Sequence, residues 1–517
     1  MRVRSVRSVG VVARRDGVLA GWVGVVARRG GTLTRWVGML AGCVGIPARW
    51  GSMLAGCVVV SAGCATRPDY SLPAPPAVGA YTRQGRASNT SDAQRLAVGE
   101  GPRADWWTQL QSPELDRLVS LALANNLSLE VARANLAKAE EGLKAARGAR
   151  SIQVDVSGSV GRKKYGSFFL GPEAQTFPTF AAYSVGPVVS YDLDLFGGVR
   201  DRIEAARAAA QFEAEQLRAA RLRVAGESVT LALHIAAVRA QVEVVRKVLD
   251  ADEKTLDLVR AARHVGVVSD IDVLQATSQR DQDRTLLPAL EQELDVARDA
   301  LAVLVGKPPS EWDAPDFALD RFVLPRELSL VVPSELVHAR PDIRAAEAQL
   351  REASAKVGIA TADLYPRITL SSGWAQEGLL TGGTTSAWSL VGGLAAPVFH
   401  GGALNAQRRA AQDDYRASFA RYQLVVLQSF GQVADALHAI DHDAQALATQ
   451  EQARTSADRA LSLTRQGYRV GNAGILQILT AQRAYELAEL GVVEARSRRL
   501  TDTVGLFLAS GGGVALD

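Results

Sequence analysis

The sequence predicts a mostly α-helical protein in which two long helical hairpins are each rooted in a pair of β-strands. Three observations predict it. The runs Val199–Val265 and Ala403–Val470 contain no proline and scarcely any glycine, and Ala, Arg, Glu, Gln and Leu dominate them. Their apolar residues recur at spacings of three and four, the period of a helix with one buried face. Segments of alternating apolar and polar residues, the period of a strand, precede each run.

The same landmarks recur about 204 residues apart. Phe196-Gly197-Gly198 matches Phe399-His400-Gly401-Gly402, and Ala-Leu-His occurs midway along both runs, at His234 and His438. Both runs end in Val-Gly, at Gly266 and Gly471, and both following segments close near a glycine, Gly306 and Gly511. A period of this length predicts two internal repeats of a whole domain rather than a solenoid unit. At 1.5 Å per residue each run reaches about 100 Å, too long for an ordinary globular core, so it must pack along other helices as in a coiled coil. Gly266 and Gly471 fit hairpin turns. Ser269 and Asp270 are placed to cap the first returning helix. Pro288 and Gly491 are expected to split the returning helices into two pieces each.

In the first strand pair, Ile152, Val154, Val156 and Val160 alternate with polar residues, and a second alternation runs from Tyr183 to Leu195. Phe168, Phe169, Phe177 and Phe180 crowd the loop between them. The other pair spans about Arg367–Gln376 and Ala387–Phe399. A soluble half-buried sheet gives such alternation, and so does a membrane β-barrel with apolar residues outward and polar residues inward. The export signal and the long helices favour the barrel. A membrane helix over Gly378–Gln407 is the poorer alternative, since that stretch holds seven glycines and a proline. Four strands close no barrel. A spanning chain must therefore oligomerise, and a trimer gives twelve strands.

Lys and Arg total 58 against 55 Asp and Glu, but residues 1–63 carry net +8 and the remainder net −5. The mildly acidic mature region gives no reason to expect nucleic acid as a partner. Arg49 followed by the uncharged run Trp50–Ala62 has signal-peptide proportions and is too short to span a bilayer as a helix. It ends in Ser61-Ala62-Gly63-Cys64, which resembles a bacterial lipobox and assigns lipidation to Cys64. Cys57 and Cys43 have too short an apolar run before them. Residues 65–103, rich in Pro, Ala, Ser and Arg, read as an extended tether.

No enzyme chemistry stands out. Of the six histidines, His438 and His442 lie four apart but are read as completing no ligand set, the glycine-rich stretches lack a following Gly-Lys-Ser/Thr, and Arg340-Pro341-Asp342 reads as a helix start. The chain is read as a non-enzyme without cofactor.

Several segments together resemble the outer-membrane factor (TolC-like) family, in its NodT-type lipoprotein branch. They are Cys64-Ala-Thr-Arg-Pro-Asp-Tyr70, Trp106-Trp107, Ser112-Pro-Glu-Leu-Asp-Arg-Leu-Val119, Asn125-Asn126, Tyr191-Asp-Leu-Asp-Leu-Phe-Gly197, Arg340-Pro-Asp-Ile343, Ala362-Asp-Leu-Tyr-Pro-Arg-Ile368 and the two Val-Gly turns. The resemblance implies a homotrimer with a short β-barrel on a long periplasmic α-helical barrel. It implies an efflux channel in the outer membrane, docked to a periplasmic adaptor and an inner-membrane pump of the resistance-nodulation-division (RND) type. It implies four regions: a leader over 1–63, a lipidated tether over 64–111, a first efflux repeat over 112–311, and a second with its connector over 312–517. Gly266, Asp270 and Asp272 at one turn, and Arg469, Gly471 and Asn472 at the other, become the periplasmic tip and aperture. The family often places acids near the second turn; here that turn has none, and Thr480 stands where Asp is frequent. A type I protein-secretion duct and a non-conducting structural envelope lipoprotein are the alternatives.

Overall fold

The computed structural model describes residues 78–82, 94–164 and 178–513. Cys64, the leader, most of the tether and Phe168, Phe169 and Phe177 lie outside the described residues. A short strand β1 (Arg95–Val98) and a 3₁₀ turn at Trp106–Leu110 lead into α1 (Pro113–Asn125). Ser112 caps α1, its Oγ accepting from the Leu115 N–H, and Pro113 takes the first position, where no donor is needed. Asn126 caps α2 (Leu127–Gly148) through its Oδ1, which accepts from the N–H groups of Ser128 and Leu129.

Strands β2 (Gln153–Lys163) and β3 (Phe180–Asp192) precede α3 (Gly198–His264), a helix of 67 residues. The chain returns through α4 (Asp270–Arg284) and α5 (Leu286–Leu304). The second half runs β4 (Glu327–Leu330), α6 (Pro333–Ala339), α7 (Pro341–Ala362), β5 (Arg367–Leu379), β6 (Thr384–Ala395), α8 (Ala403–Arg469) and α9 (Ile475–Ala509). Helix α8 again has 67 residues. The expected split of the first returning helix is present: Pro288 lacks an N–H, its ring opposes the carbonyl four residues back at Arg284, and α4 ends there. The expected split at Gly491 is absent, and α9 continues for 35 residues. Glycine keeps its N–H and costs only about 1 kcal/mol in a helix, which packing of α9 on α8, α3 and α4 overcomes.

Other expectations also needed correction. The alternation ending at Leu195 stops as strand at Asp192, because Asp194 turns the chain into α3. The last strand is Thr384–Ala395 rather than Ala387–Phe399, and no membrane helix forms between 378 and 407. Asp270 is not the cap; Ser269 is.

The main core gathers α1, α3, α5, α8 and α9 around Trp106, Leu115, Leu233, Leu301, Leu437 and Phe507. Trp106 and Phe507 are fully buried with ring centroids 5.6 Å apart. Helix α3 contains a window apolar enough to cross a bilayer, but 56% of that window is buried in the protein, which accounts for its hydropathy. Strands β1 and β4 pair in parallel beside this core. Tyr81, ahead of β1, reaches it by donating to the Val331 carbonyl at 2.7 Å and meeting Phe430 edge-on.

Two helix junctions are stitched by side chains. Asn126 Nδ2 donates to the carbonyl of Leu304 at 2.8 Å, holding the end of α5 against the start of α2. Arg340 Nη1 donates to the carbonyl of Ala509 at 2.8 Å and holds the end of α9 against the start of α7. Arg340 also grips Asp342 with two bonds and reaches Gln432 Oε1 at 2.7 Å. Arg340-Pro341-Asp342 is thus a helix start, as the sequence indicates, and a splice as well.

Candidate functional site

The four long strands form one antiparallel sheet in the order β2-β3-β5-β6, so the central β3–β5 pairing joins the two halves of the chain. Cross-strand partners point to the same face. The register pairs Val154 with Val189, Val160 with Tyr183, Tyr191 with Leu370, Ile368 with Leu394 and Trp374 with Trp388. All of these lie on one face, where Val156 and Trp388 are 77% and 80% exposed. The opposite face carries Asp155, Ser157, Ser159, Ser184, Ser190, Thr369, Ser371, Glu377, Thr385 and Ser389. Among the described residues, β2 and β6 each have one edge without a partner strand. Strands of 11 to 13 residues reach or exceed the 9–11 or so that a tilted strand needs to cross a bilayer.

Two sequence motifs meet where the sheet joins the helices. Asp192 at the end of β3 accepts from Arg367 Nε at 2.7 Å, tying β3 to β5. Asp194 folds back so that its carboxylate accepts from the N–H groups of Val199 and Arg200, both at 2.8 Å, capping α3. Phe196 stacks on Tyr365 with centroids 4.9 Å apart. The sequence presented Asp-Leu-Asp-Leu-Phe-Gly and Leu-Tyr-Pro-Arg-Ile as separate family marks; the fold makes them two halves of one clamp.

At the far ends of α3 and α8, Gly266 and Gly471 both have φ +79°, in the left-handed region. Both turns close alike. The Val267 N–H donates to the Ala262 carbonyl at 3.0 Å, and the Asn472 N–H to the Gly467 carbonyl at 2.8 Å. Their side chains differ. In the first turn Asp272 Oδ2 accepts from the Ser269 N–H and hydroxyl at 2.8 and 2.7 Å, and the Asp272 N–H donates back to Ser269 Oγ. Asp270 forms a two-point ion pair with Arg263, at 2.7 and 2.9 Å. Hydrogen bonds from Arg263, then its charge, hold the Asp270 carboxyl below its ordinary range, and the bonds from Ser269 do the same for Asp272. In the second turn the Gly474 N–H donates to Gln477 Oε1, and no acid occurs between Asp458 and Glu486. Arg469, Gly471 and Asn472 are exposed there.

The two turns are brought together by a small apolar cluster: Leu256 and Val259 of α3, Ala276 of α4, and Ile475, Ile478 and Leu479 of α9. Behind it three carboxylates are buried, Asp252 of α3, Asp283 of α4 and Glu486 of α9. Sequence reasoning passed over all three, and Arg263 too, because nothing in their local spacing marks them. Of the paired mid-helix histidines, His234 lies 3.2 Å from Glu293 and His438 is exposed. Among the described residues no group of three or more His, Cys, Asp or Glu is arranged to hold a metal ion.

The profile of the family described as outer membrane efflux protein matches residues 118–307 and 332–512. The chain belongs to the outer membrane efflux protein family. The pyoverdine export outer membrane protein OpmQ of Pseudomonas aeruginosa is 31% identical over 81% of this chain and 90% of its own length. Nodulation protein T of Rhizobium leguminosarum bv. viciae is 26% identical over 88% of this chain and 93% of its own. The outer-membrane channel OprN superposes with a TM-score of 0.76 at 26% identity, covering 86% of this chain and 99% of that one. The Campylobacter jejuni CmeC channel, at 19% identity, matches in fold with a TM-score of 0.77. This efflux family is one of outer-membrane channels and not of enzymes.

Proposed function

We propose that three copies of this chain assemble into a channel, each contributing four strands to a twelve-stranded membrane β-barrel and two hairpins to a periplasmic helical barrel. The observation that carries this is the sheet: one apolar exposed face, one polar face and, among the described residues, two open edges. Lipid tolerates the apolar face but not an unpaired edge, and edge β2 of one copy against edge β6 of the next removes every edge. The polar face then lines a water-filled duct, which conducts passively what an inner-membrane RND-type pump delivers through a periplasmic adaptor.

In this reading the leader (1–63) is removed. Cys64 carries acyl chains in the outer-membrane lipid and begins the 64–111 tether, and residues 112–311 and 312–517 are two repeats of one efflux domain. Gly266, Asp270, Asp272, Arg469, Gly471 and Asn472 form the periplasmic tip, where the adaptor docks and the aperture closes. Light scattering of the detergent-purified protein should give the mass of three chains, and planar bilayers should record discrete conductance steps. A monomer with intact secondary structure overturns the assembly, and a trimer without conductance overturns the duct. Mass spectrometry of the mature N-terminus should find a lipidated Cys64; an unmodified terminus removes the anchor.

A further inference from the structure

Helices α3, α4 and α9 enclose three carboxylates about 20 Å from the turns, at 1.5 Å per residue. Asp252, Asp283 and Glu486 are 2%, 1% and 0% exposed. Among the described residues, Arg483 of α9 is the one cation bonded to the cluster, reaching Asp283 Oδ1 at 2.9 Å and Glu486 Oε2 at 2.7 Å. Arg280 of α4 faces Asp252 from farther away and is itself bonded to Asp281; Glu253 of α3 faces that arginine. The remaining polar partners are neutral. Gln482 Nε2 donates to Asp252 Oδ1, Gln279 Nε2 donates to Asp283 Oδ2, and the Thr255 hydroxyl donates to its own helix at Ala251. Asp252 Oδ2 and Glu486 Oε1 are buried without a donor.

Three buried negative charges against one bonded guanidinium are costly, and ionised carboxylates can only accept. A proton on Asp252 removes one charge and turns an idle oxygen into a donor toward Asp283. We propose that Asp252, Asp283 and Glu486 form a proton-operated latch between the hairpins: a proton on Asp252 cancels one of the charges over which α9 closes and keeps α9 docked on α3 and α4, and its loss frees the first turns of α9 from them. As a control on channel opening the latch rests on the reading of the turns as the aperture end; as a link between helices it stands on the cluster alone.

The direction with pH follows from linkage. Burial, and next the charge of Asp283, push Asp252 up to about 8, and burial also raises Glu486. Once α9 lifts away, Asp252 loses the burial that raises it most and its carboxyl falls, while Asp283 of α4 stays beside it. The docked state then holds a proton that the released state does not. Docking is strongest in acid, weakens as pH climbs toward about 8, and changes no further above that. Within the window each pH unit favours release by up to about ten-fold.

Hydrogen exchange of the full mature chain in detergent, followed by mass spectrometry on peptides covering residues 475–490 and corrected for intrinsic rates, reads this directly. Protection should fall with each unit between pH 6 and pH 8, by up to about ten-fold, and level off above. Asp252→Asn should abolish the slope, because the amide donates at every pH. Asp443→Asn should leave it intact. Asp443 is raised to about 7 by burial and by Asp502, yet it sits beside the other end of α9. If Asp252→Asn does not fold, Glu486→Gln tests the same cluster and should flatten the slope by removing one repelling charge. A flat wild-type profile, a wild-type slope in Asp252→Asn or a lost slope in Asp443→Asn overturns the latch. Conductance on the same preparations separates the two readings. Exchange that follows pH without a change in conductance supports the latch and counts against the aperture.

Discussion

The turns at Gly266 and Gly471 have the same backbone and different chemistry. Both glycines sit at φ +79°, and both turns close with the same reach-back hydrogen bond. The first is then braced by polar side chains, a Ser269–Asp272 capping box and an Arg263–Asp270 pair, while the second relies on one bond from a backbone N–H to a neutral glutamine. Chain reversal therefore needs only the glycine, and the bracing is free to diverge. The returning helices diverge too, broken before Pro288 on one side and continuous through Gly491 on the other.

The largest effect should come from making the returning helices alike. Gly491→Pro should break α9 and lower stability by about 3 kcal/mol or more. Pro288→Ala should cost well under about 1 kcal/mol, because α5 is already adapted to a proline in its first turn. Thermal unfolding of the detergent-solubilised protein by circular dichroism ranks the two, and equal midpoints would refute the contrast.

Next are the glycines themselves. Gly266→Ala and Gly471→Ala should each cost about 1 kcal/mol and by equal amounts, since the strain is the same and an added Cβ meets nothing within 4 Å at either position. Unequal losses would mean that something other than backbone strain acts at one turn.

A smaller effect concerns the caps. Ser269→Ala should destabilise by about 1 kcal/mol, whereas Gly474→Ser, at a cap position with extended backbone and room for a side chain, should stabilise by a few tenths of a kcal/mol at about this scale. Slower amide exchange at the start of α9 in Gly474→Ser would show the gain, and faster exchange would reject it.

The smallest contrast is with acid. Because the Asp270 and Asp272 carboxyls are lowered in the folded turn, their bracing is present at neutral pH and is lost only as pH falls through and below the ordinary carboxylate range. Exchange across 263–273 should therefore loosen in acid while 467–480 does not. Single-channel currents of the Asp270→Asn, Asp272→Asn double variant should show only slightly weaker cation selectivity than wild type, since Arg263 already offsets one of the two charges.

Much of this was legible in the sequence because it is periodic. The bounds of α3 and α8 follow from the Gly-Gly before and the Val-Gly after each run, and the strands from their alternation. What escaped was tertiary. Proline and glycine both read as helix breakers in a sequence, although only proline removes a donor. Asp252, Asp283 and Glu486 are separated by 31 and 203 positions, and no local pattern foretells their meeting. Arg340 reads in sequence as serving its own helix, yet its longest reach is to the carbonyl of Ala509, at the other end of the half-chain. Asp270 offered itself as a cap by residue type, but Ser269 stands one position nearer the turn and took that place.

The stitched junctions at Asn126 and Arg340 have a mechanical consequence. Beside each unbroken rod of 67 residues stands a column made of shorter rods butted end to end and pinned by a single side chain at each joint. A continuous rod resists flexing along its whole length, whereas a pinned column yields first at its joint. A load applied at the turns is thus concentrated, half the molecule away, at one amide in the first half and one guanidinium in the second.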